Sequence, residues 1–124
     1  MNFRIDDEKT NNLIHDALHN NLTHLEKCDI DDCFDGEFPK YFEADTIDKI
    51  VNYAKSANGK IKAMLLFARS DTTISEVQET IDALEPYCTK DCINNGKILV
   101  GCSLESDSQK SEEIKYRMLI LVEK

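Results

Sequence analysis

The residues of this chain best suited to chemistry are its five cysteines, four of which fall in two pairs. Cys28 and Cys33 are separated by four residues and Cys88 and Cys92 by three, with Gly36 and Gly96 following at similar distances. Paired thiolates at such spacings hold zinc, and two pairs would complete a closed tetrahedral site. The competing reading is packing, because a free thiol behaves as a small apolar side chain. Packing is the reading adopted: no metal site is assigned, and Cys28, Cys33, Cys88 and Cys92 stand as the zinc candidates. Cys102 lies in phase with Ile98, Val100 and Leu104 in an apolar run and is expected to be buried packing.

His15 and His19 are four apart and share a helix face, the spacing of a two-histidine metal clip. His24 falls about 140° away from His19 on the wheel and does not join them. The pair reads as a solvated polar boundary. Asp31, Asp35 and Gly36 occupy the first, fifth and sixth places of a calcium loop. Cys33 and Phe42 stand where the third ligand and the bidentate glutamate belong, so that coordination shell is incomplete. The same stretch carries four aromatic residues, Phe34, Phe38, Tyr41 and Phe42. Loops seldom carry four rings without burying them or presenting them to a partner, and these four are the candidate partner-binding residues. All three histidines fall in one expected helix, so no Ser, His and Asp order favours nucleophilic catalysis. No catalytic residue and no cofactor is assigned.

The elements that must position these residues follow from periodicity. Residues 6–27 read as one amphipathic helix with Leu13, Ile14, Ala17, Leu18, Leu22 and Leu25 on its inner face. Residues 28–45, with four aspartates, Gly36 and Pro39 between Asp29 and Pro39, read as a long acidic loop. A second helix follows, capped by Asp45, with Ile47, Ile50, Val51 and Ala54 inside and Asn58-Gly59 as its stop. Residues 61–68 are apolar at nearly every place, as in a central strand covered on both faces. Thr73 and Glu76 spell a capping box, and Ile74, Val77, Ile81 and Leu84 form a stripe that ends at Pro86. Residues 98–104 and 114–122 read as two strands, joined by a polar loop at 105–113. The expected architecture is α+β: a two-layer sandwich with a small mixed sheet of three to four strands and helices packed on it.

With 124 residues the chain is one domain, 1–124. Fifteen basic against twenty-four acidic residues give a net charge of −9, with no basic patch of the kind that tracks phosphates, so nucleic acid is not expected. The longest apolar runs are strand-sized, well short of the roughly 20 residues of a membrane span, and the first eight residues turn acidic where a secretory signal would be basic and then apolar. A cytoplasmic protein is expected, and in that reducing compartment an odd number of cysteines does not suggest a disulfide framework.

Asp71-Thr72-Thr73-Ile74-Ser75-Glu76-Val77-Gln78-Glu79 resembles the stretch that opens a helix in the C-terminal domain of FtsZ, the tubulin-like bacterial division GTPase. Ile98-Leu99-Val100-Gly101-Cys102 is similar to that domain's next strand, and Glu113-Ile114-Lys115-Tyr116-Arg117-Met118-Leu119-Ile120 to its last. Ala17-Leu18, Asn21-Leu22, Leu25-Glu26 and Asp29-Ile30 resemble the end of the helix that enters the domain, and residues 59–67 its first strand. Under this alignment residues 31–58 are an insertion. The chain departs from the family at Ala68-Arg69-Ser70, where a Gly-Gly turn belongs, and it carries no Gly-rich phosphate loop. The resemblance therefore implies the fold but not GTP hydrolysis. It leads to a non-catalytic protein-interaction domain that modulates a cell-division filament, with FtsZ or a second copy of the chain as partner. The alternatives are a small ligand-binding or enzymatic domain with a cleft at a subunit interface, and a zinc- or thiol-dependent sensor.

Overall fold

The computed structural model describes residues 8–21, 23–57, 59–104 and 114–123. The expected loop at 105–113 and the readings placed on Leu22, Asn58 and the first seven residues lie outside that set. The first helix, α1 (Glu8–His19), buries Thr10, Leu13 and Ala17 and is shorter than its periodicity suggests. It stops because the Asn21 side chain donates to the carbonyl of Ala17 at 3.0 Å, satisfying a last-turn acceptor while the backbone leaves to bridge Ser103.

The acidic stretch that follows is not a loop. It opens with a second helix, α2 (Lys27–Phe34), whose buried residues Ile30, Cys33 and Phe34 recur at helical spacing. Its aspartates do capping work: the Glu26 N–H donates to Asp29 Oδ2 at 2.9 Å, and a carboxylate in the first turn suits the helix dipole. Asp35 and Gly36, both with positive φ (48° and 76°), end the helix. The remainder of the stretch forms an edge strand, β1 (Lys40–Ala44). In α3 (Ile47–Ser56) the cap is Thr46, which accepts from Lys49 N at 3.3 Å. Asp45, the expected cap, instead accepts from Lys115 N at 3.2 Å.

The second half follows its sequence signals closely. The central strand β2 (Ile61–Ala68) is buried at every position except Lys62. The next helix, α4 (Ile74–Leu84), is capped by Thr73 and Glu76, each bonding the other's backbone N–H at 3.1 Å. Pro86 lies in a short 3-10 turn (Glu85–Tyr87), followed by α5 (Lys90–Asn94), β3 (Ile98–Cys102) and β4 (Tyr116–Val122).

The four strands make one mixed sheet in the order β1-β4-β2-β3. β4 runs antiparallel to both β1 and β2, while β2 and β3 are parallel. The fold is α+β, with this sheet and the helices packed on it. Alternation divides the apolar side chains of β2 and β4 between the two faces. Met64, Leu66, Tyr116, Met118 and Ile120 cluster with Ile50, Ala54 and Leu84 of α3 and α4. Ala63, Leu65, Phe67, Leu119 and Leu121 cluster with Leu13, Ala17, Ile30 and Phe34 of α1 and α2. Residues 31–58, which the FtsZ-like alignment leaves unmatched, supply an edge strand, a helix and buried core positions. Among the described residues no helix is long and apolar enough to cross a membrane.

Candidate functional site

The four aromatic residues singled out from the sequence part company. Phe34 is fully buried under the sheet on the α1 and α2 side, so it is core and not a contact residue. Phe42 is half-buried and stacks on Tyr53 of α3, with ring centroids 4.2 Å apart. Tyr41, also half-buried, donates its hydroxyl to Glu43 at 3.2 Å, with the Lys9 ammonium 5.8 Å from its ring. Phe38 is 50% exposed. It borders a groove of about 720 Å³ that it shares with Lys40, Tyr53 and the last apolar residues of β4, Ile120, Leu121 and Val122. The sequence does not single out Tyr53, which lies outside the inner stripe of Ile47, Ile50, Val51 and Ala54, and the end of β4 carries the alternation of a core strand.

A second recess, of about 400 Å³, opens at the same end of the sheet, where β2 begins and β4 ends. It is lined by charge, including Asp35, Glu37, Lys62, Asp91, Lys97 and Glu123. Lys62 Nζ meets Glu37 at 2.6 Å, and Lys97 Nζ donates to the carbonyl of Asp32 at 2.7 Å. Cys33 forms part of its wall.

The cysteines are distributed differently from a four-thiolate site. Cys28 and Cys33 lie five residues apart on α2, about 140° around the helix from one another, so Cys28 is exposed while Cys33 is buried. Cys88 and Cys92 are buried as well. Among the described residues no group of three or more His, Cys, Asp or Glu is arranged to hold a metal ion. Two of the thiols nevertheless converge. Cys33 Sγ lies 3.3 Å and Cys92 Sγ 3.9 Å from one backbone oxygen, that of Lys97, at the start of β3. Cys88 Sγ donates to the Leu84 carbonyl at 3.3 Å. The neighbouring Cys92 thiol holds Cys88 below its ordinary value, while Cys88, with burial, drives Cys92 upward. Burial pushes Cys33 up to about 11. Cys102 is only half-buried, with its Sγ 3.6 Å from the Arg69 carbonyl, because edge strand β3 has one face incompletely covered.

His15 and His19 are exposed, with ring centroids 4.7 Å apart, and His24 pairs with Glu26 at 3.2 Å. At the opposite end of the sheet, Lys115 binds Glu76, tying the first turn of α4 to the approach to β4. That bond, followed by the backbone N–H of Thr73, lowers Glu76 to about 2. Asp31, Asp35 and Gly36 of the calcium-like pattern are consumed by the body and end of α2. Compared with family models, with curated proteins and with solved structures, the chain matches none.

Proposed function

We propose that this chain is a non-catalytic protein-interaction domain, similar to the C-terminal domain of FtsZ, that acts in the cytoplasm on a division filament. The filament as partner rests on the resemblance of residues 71–79, 98–102 and 113–120. One structural observation carries the interaction reading: a half-exposed Phe38 beside a groove floored by Ile120, Leu121 and Val122. An aromatic side chain at the rim of an apolar groove supplies the anchor that protein interfaces favour. The groove lies against β1, an edge strand, so a partner could gain main-chain as well as side-chain contacts there.

Co-sedimentation tests this reading. The purified chain is expected to pellet with FtsZ polymers in proportion to polymer, and Phe38→Ser to reduce the bound fraction. A chain that stays in the supernatant at every polymer concentration would remove the filament as partner, and a dimeric solution mass would then put a second copy in its place. The charged recess of about 400 Å³ favours a second reading, a ligand-binding domain, since small-molecule sites fall in that size range. A screen of charged metabolites for melting shifts, with Lys62→Ala and Lys97→Ala as controls, addresses it.

A further inference from the structure

We propose that His15 and His19 form a two-imidazole site for a late first-row divalent metal ion such as zinc, with its other coordination positions open to solvent. The site lies on α1 and is independent of the interaction reading. Its first support is geometric. The two residues stand four apart in one helix, so their side chains leave the same face one turn from each other. Their ring centroids are 4.7 Å apart. Two imidazoles bound to one ion at about 2.0–2.1 Å per bond have ring centres about 4.5–5.2 Å apart, for angles between square-planar and tetrahedral. The rings therefore already stand at the separation that a shared ion requires. Both are exposed, so turning either ring to aim a nitrogen at that ion meets no packing.

The second support is that both rings are free. The third histidine, His24, pairs with Glu26 at 3.2 Å. Neither His15 nor His19 has a hydrogen-bond or ion-pair partner among the described residues. Asp16, the carboxylate next to His15, is taken by Arg117 at 2.8 Å. A neutral imidazole without a partner keeps a nitrogen lone pair for an ion, and imidazole nitrogen suits zinc, copper and nickel.

The third support is the helix that holds them. Leu13 and Ala17 are fully buried against the sheet, and the bond from Asp16 to Arg117 ties the same turn to β4. The backbone between the two histidines is thus fixed before an ion arrives, and the second bond forms within one molecule at a high effective concentration. His19 is also the last residue of α1, where the carboxyl end of the helix dipole favours a cation. Among the described residues no third His, Cys, Asp or Glu completes the group. Water therefore fills the remaining positions, and the ion stays exchangeable, unlike one in a closed structural site.

The test uses the full chain without a metal-binding tag, in a Cys28→Ser background that removes the exposed thiol. Zinc chloride is titrated into the protein, followed by calorimetry and by the ring-nitrogen NMR signals of the three histidines. The expected result is one ion per chain, with the His15 and His19 signals moving together while those of His24 stay still. His15→Ala and His19→Ala are each expected to weaken binding roughly tenfold or more, since one imidazole alone loses the intramolecular second bond. His24→Ala is expected to bind as the parent does. Both sites are exposed and alanine is a strong helix former, so the variants keep the fold, which circular dichroism checks. The ring signals of the parent give the answer without them. Zinc affinity no tighter than that of free imidazole in the same buffer would overturn the proposal. So would binding that survives both His15→Ala and His19→Ala, or His24 signals that move at the same zinc concentrations as the other two.

Discussion

At Gly101 the absence of a side chain decides the packing. Asn21 reaches over β3 there, and its Oδ1 accepts from the Cys102 N–H at 2.9 Å while its Nδ2 holds the end of α1. A Cβ on Gly101 would stand 2.7 Å from Asn21 Nδ2 and 2.7 Å from the Phe67 ring. Neither neighbour gives way easily, because Asn21 is held by its hydrogen bonds and Phe67 is buried in the core. Gly101→Ala is expected to cost about 1–3 kcal/mol, the usual penalty of overpacking, read as a lower urea midpoint at unchanged slope. Asn21→Ala should approach the same loss by another path, because it strips the Cys102 N–H of its acceptor. Glu76 gives a residue-scale prediction in pH. Its folded value of about 2 lies below the ordinary 4.5, so its contribution is fully present above 4.5 and is lost as pH falls toward 2. Glu76→Gln keeps an acceptor for the Thr73 N–H but removes the charge that Lys115 meets. The variant should therefore be less stable than the parent at pH 7, with the difference shrinking between pH 4.5 and 2 in denaturation series at each pH.

Helix α2 and strand β1 show, at the scale of elements, what the sequence conceals. The capping box of α4 and the continuous apolar run of β2 were legible because each signal is local: Thr73 and Glu76 bond one another, and a strand buried on both faces is apolar throughout. Density of aspartate between Asp29 and Asp35 suggested a loop by the same local logic. Acidic residues also cap and open helices, however, and only the tertiary burial of Ile30, Cys33 and Phe34 decides which role they take. The thiol cluster was hidden for a different reason. Cys33 and Cys92 meet at the Lys97 carbonyl through two elements far apart in the chain, and no spacing rule reports such a meeting. The reassignment of Phe34 carries its own test. Its side chain is completely buried between α2 and the sheet, so Phe34→Ala should cost about 3–5 kcal/mol, close to the whole stability of a small domain. Phe38→Ala, half-exposed and two residues before β1, should cost far less. Equal losses in chemical denaturation would mean that the groove rim is part of the core and unsuited to a partner.

The whole molecule has two unlike ends, set by strand direction. Lys40 of β1 and Met64 of β2 both pair with Ile120, and Ala44 and Ala68 both pair with Tyr116, so β1 and β2 begin at one end and finish at the other. Phe38, the apolar groove and the charged recess gather where β1 and β2 begin. At the other end stand the Lys115 and Glu76 ion pair and Ile74, which is 89% exposed at the start of α4. Single exposed apolar residues are common on any surface, whereas an aromatic beside an apolar groove is a feature of interfaces. The two ends therefore make opposite predictions for one binding experiment. With a net charge of −9, the chain should be steered toward partners bearing a basic surface, and raising salt should slow association more than it speeds dissociation. Phe38→Ser should weaken partner binding at least tenfold by accelerating dissociation, because it removes the buried anchor. Ile74→Ser should leave both rates unchanged and alter stability by no more than about 0.5 kcal/mol, as is usual for an exposed site. Surface plasmon resonance on the two variants at two salt concentrations separates these effects. A partner lost with Ile74→Ser and kept with Phe38→Ser would move the interface to the end where β2 finishes and leave the groove without a role in binding.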